Sequence, residues 1–128
     1  LTDPKLARAA ILLFDQVPRN IYRGSAQAYA FDPLALTLCY GTIARGWDRG
    51  LPDAERQFIG MPLMHSERIA DQRASLAWFA RHLPQNLPFA RSHHAMIARF
   101  GRFPHRNDVL RRTSTPAEIQ ALQDGFSW

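Results

Sequence analysis

Nine prolines punctuate this chain, and they fall at the borders of runs whose apolar residues recur at helical spacing. Proline lacks an N–H and has a fixed φ, so it suits the first turn of a helix and disrupts a helix interior. Thr2 or Asp3 can cap a helix that Pro4 opens over about residues 4–16, with Leu6, Ala9, Ala10, Leu13, Phe14 and Val17 in period, and Pro18 ends it. Asp32 and Pro33 open a second, carrying Leu34, Leu38, Ile43 and Trp47 to about residue 49. Pro52 opens a third with Phe58, Ile59 and Met61, which Pro62 breaks or kinks. Ser66 caps a fourth, through Ile69, Leu76, Phe79 and Leu83. Pro88 opens a fifth, through Phe89, Met96, Ile97 and Phe100, closed by Gly101. Thr115, Pro116 and Glu118 form a capping box ahead of Ile119 and Leu122, which are expected to face inward. No segment alternates apolar and polar residues over a strand's length. The expectation is an all-α domain of roughly five to seven helices. A helical-repeat array and an irregular helical bundle both fit this pattern.

With 128 residues and 46% hydrophobic content, one domain over 1–128 can bury its own core. The longest apolar run, residues 9–14, falls far below the roughly 18 needed to span a membrane, so a soluble cytoplasmic protein without membrane contact is expected. Cys39, the single cysteine, lies among Leu36, Leu38 and Tyr40 and is expected to be a buried hydrophobe. The chain opens at Leu1 just before a helix, which leads us to expect native residues upstream that could complete a site.

The net charge of +5 is unevenly distributed. Residues 91–112 carry six arginines against the single acid Asp108, with His93, His94 and His105 added. Weak, salt-sensitive contact with nucleic acid follows from such a segment, but no helix-turn-helix or zinc-finger spacing supports specific recognition. Zinc would need three or four converging ligands. Adjacent His93 and His94 point about 100° apart on a helix, so no metal or other cofactor is expected.

Polar chemistry concentrates at two helix ends. Asp15, Arg19, Asn20 and Arg23 surround the first: Asp15 can orient Arg19 toward an anion, with Asn20 and Arg23 as further donors. Equally, Arg19 and Asn20 can satisfy helix-end carbonyls. In the string FGRFPHRN, residues 100–107, Arg102 follows a helix end while His105, Arg106 and Asn107 precede a short helical turn able to receive a carboxylate or phosphate. His65 and Glu67 form an H-x-E whose members converge only outside a regular helix, and with His105 they are the candidate catalytic bases.

Three strings, LLFDQVPRNIYRG at 12–24, PLMHSE at 62–67 and IARFGRFPHRN at 97–107, together resemble a bacterial family known as domain of unknown function 924. AFDPLAL at 30–36, ADQ at 70–72 and STPAEIQAL at 114–122 extend the resemblance through nearly the whole chain. It implies a fold similar to tetratricopeptide-repeat arrays and an aromatic-rich N-terminal segment that this sequence does not show. It implies no chemistry.

The reading these residues support first is a groove, lined by Asp15, Arg19, Asn20, Arg23, Arg102, His105, Arg106 and Asn107, that binds a small anionic ligand or acidic peptide. A second is a hydrolase with His65 or His105 as base and Arg19 or Arg106 stabilising negative charge. A third is a structural or protein-interaction module in which the same residues fasten helices together.

Overall fold

A computed structural model describes residues 2–126 of the chain. Leu1, on which the expectation of upstream residues rests, lies outside the described residues. All regular structure among them is helical: α1 (Pro4–Ile11), a wide π turn (Leu12–Gln16), α2 (Val17–Ile21), α3 (Asp32–Ala44), α4 (Asp53–His65), α5 (Ile69–His82), α6 (Leu87–Phe100) and α7 (Pro116–Gln123). Short 3-10 turns occupy Ala26–Tyr29, Pro84–Asn86 and Pro104–Arg106. Each long helix packs on the next in the chain, α3 on α4, α4 on α5 and α5 on α6, while α1 lies against α3 and α4. The all-α expectation is what the structure shows. No helix among the described residues is long and apolar enough to cross a membrane.

The starts and stops follow local chemistry. Asp3 accepts the Lys5 amide at 2.8 Å and caps α1. The Thr115–Glu118 box is formed in both directions, and Gly101 closes α6 in the left-handed conformation. The first helix departs from expectation because it runs through Pro18 to Ile21. The π turn accommodates this: Val17 bonds back to Leu12, and Pro18 then enters as an early residue of α2. Helix α3 ends at Ala44 instead of near residue 49. Gly46, at φ +71°, reverses the chain there, and buried Asp48 accepts the Trp78 indole N–H at 3.0 Å, fixing the turn. Pro62 stays inside α4, which runs unbroken to His65; Ser66 closes that helix, and α5 begins at Ile69 with Arg68 in the cap position where Ser66 was expected.

A larger core joins Ile11, Cys39, Ile59, Leu63, Trp78, Phe79 and Leu83, and a smaller one gathers Met96, Ile97, Phe103 and Ala121. Ile119 does not face inward as expected: it is 47% exposed, and α7 buries Glu118 and Ala121 instead. The reason is electrostatic, because Glu118 is required by Arg102. Within the larger core Gly60 meets the face of Trp78, and a Cβ there would overlap the indole ring. Gly60→Ala is therefore expected to destabilise the protein by about 2 kcal/mol through overpacking. In a thermal melt this is a fall of roughly 5–10 °C, and an unchanged midpoint would contradict the packing described.

Candidate functional site

The π turn has one direct consequence: it delivers the Asp15 side chain to the interior, where it has no solvent exposure. Asp15 Oδ1 takes the Nδ1 of His65 at 2.8 Å and Nη1 of Arg19 at 3.3 Å, and Oδ2 accepts from Gln16 at 2.7 Å. Arg19 also donates to the Asp15 carbonyl at 2.8 Å and grips Asp32, at the start of α3, with two bonds of 2.7 and 2.9 Å. Asn20 donates to the Gln16 carbonyl at 3.0 Å. Arg19 and Asn20 thus satisfy carbonyls at the helix end while their side chains line a cleft.

Arg106 approaches from the other end of the chain. Its guanidinium lies between the rings of Tyr29, at 4.3 Å, and Phe103, at 4.7 Å. It donates to the His65 carbonyl at 2.8 Å and reaches Asp32 at 3.8 Å. Its Nε is buried without a hydrogen-bond partner among the described residues. Asp15, Arg19, Asp32 and Arg106 therefore form one chain of alternating charge, with His65 attached to both ends.

These groups border a cleft of about 660 Å3 lined by Arg19, Arg23, His65, His93, His105 and Arg106, among others. Its apolar side includes Met61, Met64 and Phe89, and Gln16, Asn20, Gln57 and Asn86 supply amides. Phe89, in the first turn of α6, is 60% exposed and belongs to this lining. No side-chain carboxylate among the described residues belongs to it; Asp15 and Asp32 are bonded to Arg19 outside the lining.

Burial alone would raise the Asp15 carboxyl, but His65, Arg19 and Gln16 together hold it below an ordinary aspartate. Burial pushes the His65 imidazole down, outweighing the opposing pull of Asp15. At neutral pH the pair is an ionised Asp15 and a neutral His65. An ionised carboxylate only accepts, so Nδ1 carries the proton and Nε2 the lone pair. Burial, reinforced by Arg106, brings His105 to about 4. His93 also falls to about 4, chiefly through burial and against its bond to the Phe89 carbonyl. No group of three or more His, Cys, Asp or Glu among the described residues is placed to hold a metal ion.

The remaining expected site residues are placed elsewhere. Glu67 diverges from His65: it accepts the Phe103 amide at 2.6 Å and takes two bonds from Arg112, at 2.9 and 3.0 Å. Arg102 holds Glu118 through bonds of 2.8 and 2.7 Å. Asn107 is buried and joins the two pairs, donating to Ser114 and Glu118 and accepting from Arg112. Neither Arg102 nor Asn107 lines the cleft. Sequence reasoning missed Asp32, taken only for a helix start, and Tyr29, which carries no motif. A buried arginine implies a carboxylate nearby, but nothing in the sequence specified one 13 residues from Arg19.

The profile of a family described as bacterial protein of unknown function, DUF924, matches residues 2–125. The chain belongs to the DUF924 family. A solved structure of a protein of unknown function from Agrobacterium tumefaciens superposes with a TM-score of 0.91 at 40% identity, over 95% of this chain and 69% of that one. No curated protein matches. The helical fold that carries the cleft is therefore shared with that solved structure.

The buried imidazoles and the ion-paired Glu118 make the stability of this DUF924 domain depend on acid pH. His93 and His105 sit at about 4 when folded, below the 6.5 of an ordinary imidazole, so the unfolded chain takes up protons first and stability falls between those values. Arg102 leads the interactions that hold Glu118 at about 2, below an ordinary 4.5, so its contribution is complete above 4.5 and disappears toward 2. The melting temperature should decline from neutral pH to pH 4 and further below it. Glu118→Gln should reduce the lower part of that decline, leaving the share that Asp15 and Glu67, also held below ordinary carboxyls, contribute. A flat profile through the upper range, followed by circular dichroism, would contradict the buried neutral imidazoles.

Proposed function

We propose that the cleft binds a small ligand carrying a carboxylate or phosphate. The observation that carries this is the lining itself: three arginines, Arg19, Arg23 and Arg106, border the cleft, and no side-chain carboxylate among the described residues does. Arginine presents planar paired donors suited to carboxylate and phosphate oxygens. Arg106 is held in place between Tyr29 and Phe103, so little side-chain entropy remains to be lost on binding. Its buried, unpartnered Nε supports the same reading, since an unmet buried donor costs about 1–3 kcal/mol. A volume of about 660 Å3 favours a small molecule over the acidic peptide that the sequence also allowed.

Thermal-shift titration with phosphorylated metabolites, dicarboxylates, acidic peptides and neutral analogues tests this. Anions of one class are expected to raise the melting temperature, while their neutral analogues do not. Arg23, exposed at the rim, provides the clean variant. Arg23→Ala should change stability by no more than about 0.5 kcal/mol and weaken binding by roughly tenfold, the loss of one charged hydrogen bond. Equal stabilisation by charged and neutral compounds would contradict the proposal.

A further inference from the structure

Asp15 is more than the counter-charge of Arg19, because Asp32 already holds that guanidinium with two bonds at 2.7 and 2.9 Å. The closest ionisable partner of Asp15 is His65 Nδ1, at 2.8 Å. The turn that brings Asp15 inside is a π turn, a local geometry that occurs frequently at functional sites. A fully buried carboxylate fixing the Nδ1–H of an imidazole that lines a cleft is the arrangement in which the imidazole accepts a proton at Nε2 and the carboxylate stabilises the cation formed. Among the described residues no Ser, Thr or Cys lines the cleft, and the nucleophile that suits this base is water.

The geometry points to a general-base hydrolytic centre in which His65, positioned by Asp15, activates water against the acyl carbon of a small ester bearing a free carboxylate. It rests on the reading of this cleft as an anion site. Arginines of the lining hold the free carboxylate, and Met61, Met64 and Phe89 accommodate the carbon chain. His65 Nε2 removes a proton from water as the water oxygen bonds to the acyl carbon and the carbonyl electron pair moves onto oxygen. Arg106, bonded to the His65 backbone at 2.8 Å, is the adjacent cation for that charge. The acyl–oxygen bond then breaks, and the imidazolium returns its proton to the departing alkoxide. An acid and an alcohol leave, and nothing is oxidised or reduced.

The 4-nitrophenyl monoesters of succinate and glutarate, with neutral 4-nitrophenyl butyrate beside them, provide the test. Wild type should hydrolyse the monoesters with saturation and with a lower KM than the neutral ester. Its kcat should fall on acidification as a group titrating below an ordinary imidazole becomes protonated, and should drop in D2O. The groups facing His65 are Asp15, Arg19, Asp32, Arg106 and His93, with His105 beyond. His93→Asn therefore separates its titration from that of His65. His65→Gln should lower kcat by about a hundredfold. Asp15→Asn should lower kcat with little change in KM, the mark of a positioning residue rather than a binding one. If succinate still raises the melting temperature but no ester turns over faster than with His65→Gln, the hydrolytic centre is refuted and the anion site stands. If neither occurs, both fall. Should His65→Gln not fold, a wild-type rate that is indifferent to pH and D2O overturns the proposal by itself.

Discussion

A carboxylate without access to water has to be matched inside the protein, and Asp15 is such a group. Matching it recruits parts of the chain that are far apart: His65 from the end of α4, Arg19 from α2 and, through Arg19, Asp32 from the start of α3. Arg106 then closes the circuit by bonding the His65 carbonyl. Removing one partner from such a buried set usually costs about 3–5 kcal/mol, because the remaining charge is left without compensation. The cleft wall is therefore also a structural joint, and the opposition between binding and structural readings disappears for these residues.

The loop at 102–107 divides between two tasks. Its flanks are fastened: Arg102 to Glu118, and Asn107 to both Glu118 and Arg112, with Glu67 holding the Phe103 amide from below. Its centre is presented: His105 and Arg106 lie on the cleft, with Pro104 stiffening the turn between them and Phe103. Fastening both flanks fixes the backbone that carries the guanidinium, which is how a loop acquires the rigidity a binding site needs. Arginine suits both tasks because one planar fork can hold a carboxylate and stack on a ring.

The fold was legible where local chemistry decides it. The Asp3–Pro4 start, the Gly101 stop and the Thr115–Glu118 box all act within a few residues and appear as expected, whereas Asp32, read as a cap, is the first residue of α3 and gives its carboxylate to Arg19. The π turn was not legible, since LLFDQ has ordinary helical periodicity and nothing in it marks the wider bond from Val17 back to Leu12 that carries the helix through Pro18. In α7 the apolar pattern pointed to Ile119, but an ion pair with Arg102, 16 residues back, turned Glu118 inward. At the site, the pairing of Asp15 with Arg19 followed from their i, i+4 spacing. That His65 is bound to Asp15 across 50 residues, while Glu67 two positions away serves a different network, is information that only the packing of α4 supplies.

The most direct test of this account is the 15N spectrum of the His65 imidazole. At neutral pH the account predicts a neutral ring protonated at Nδ1 and bare at Nε2, with Asp15→Asn disturbing that assignment. An imidazolium at neutral pH, or a ring protonated at Nε2 instead, would contradict it. Either result would mean that Asp15 does not hold His65 as the structure describes.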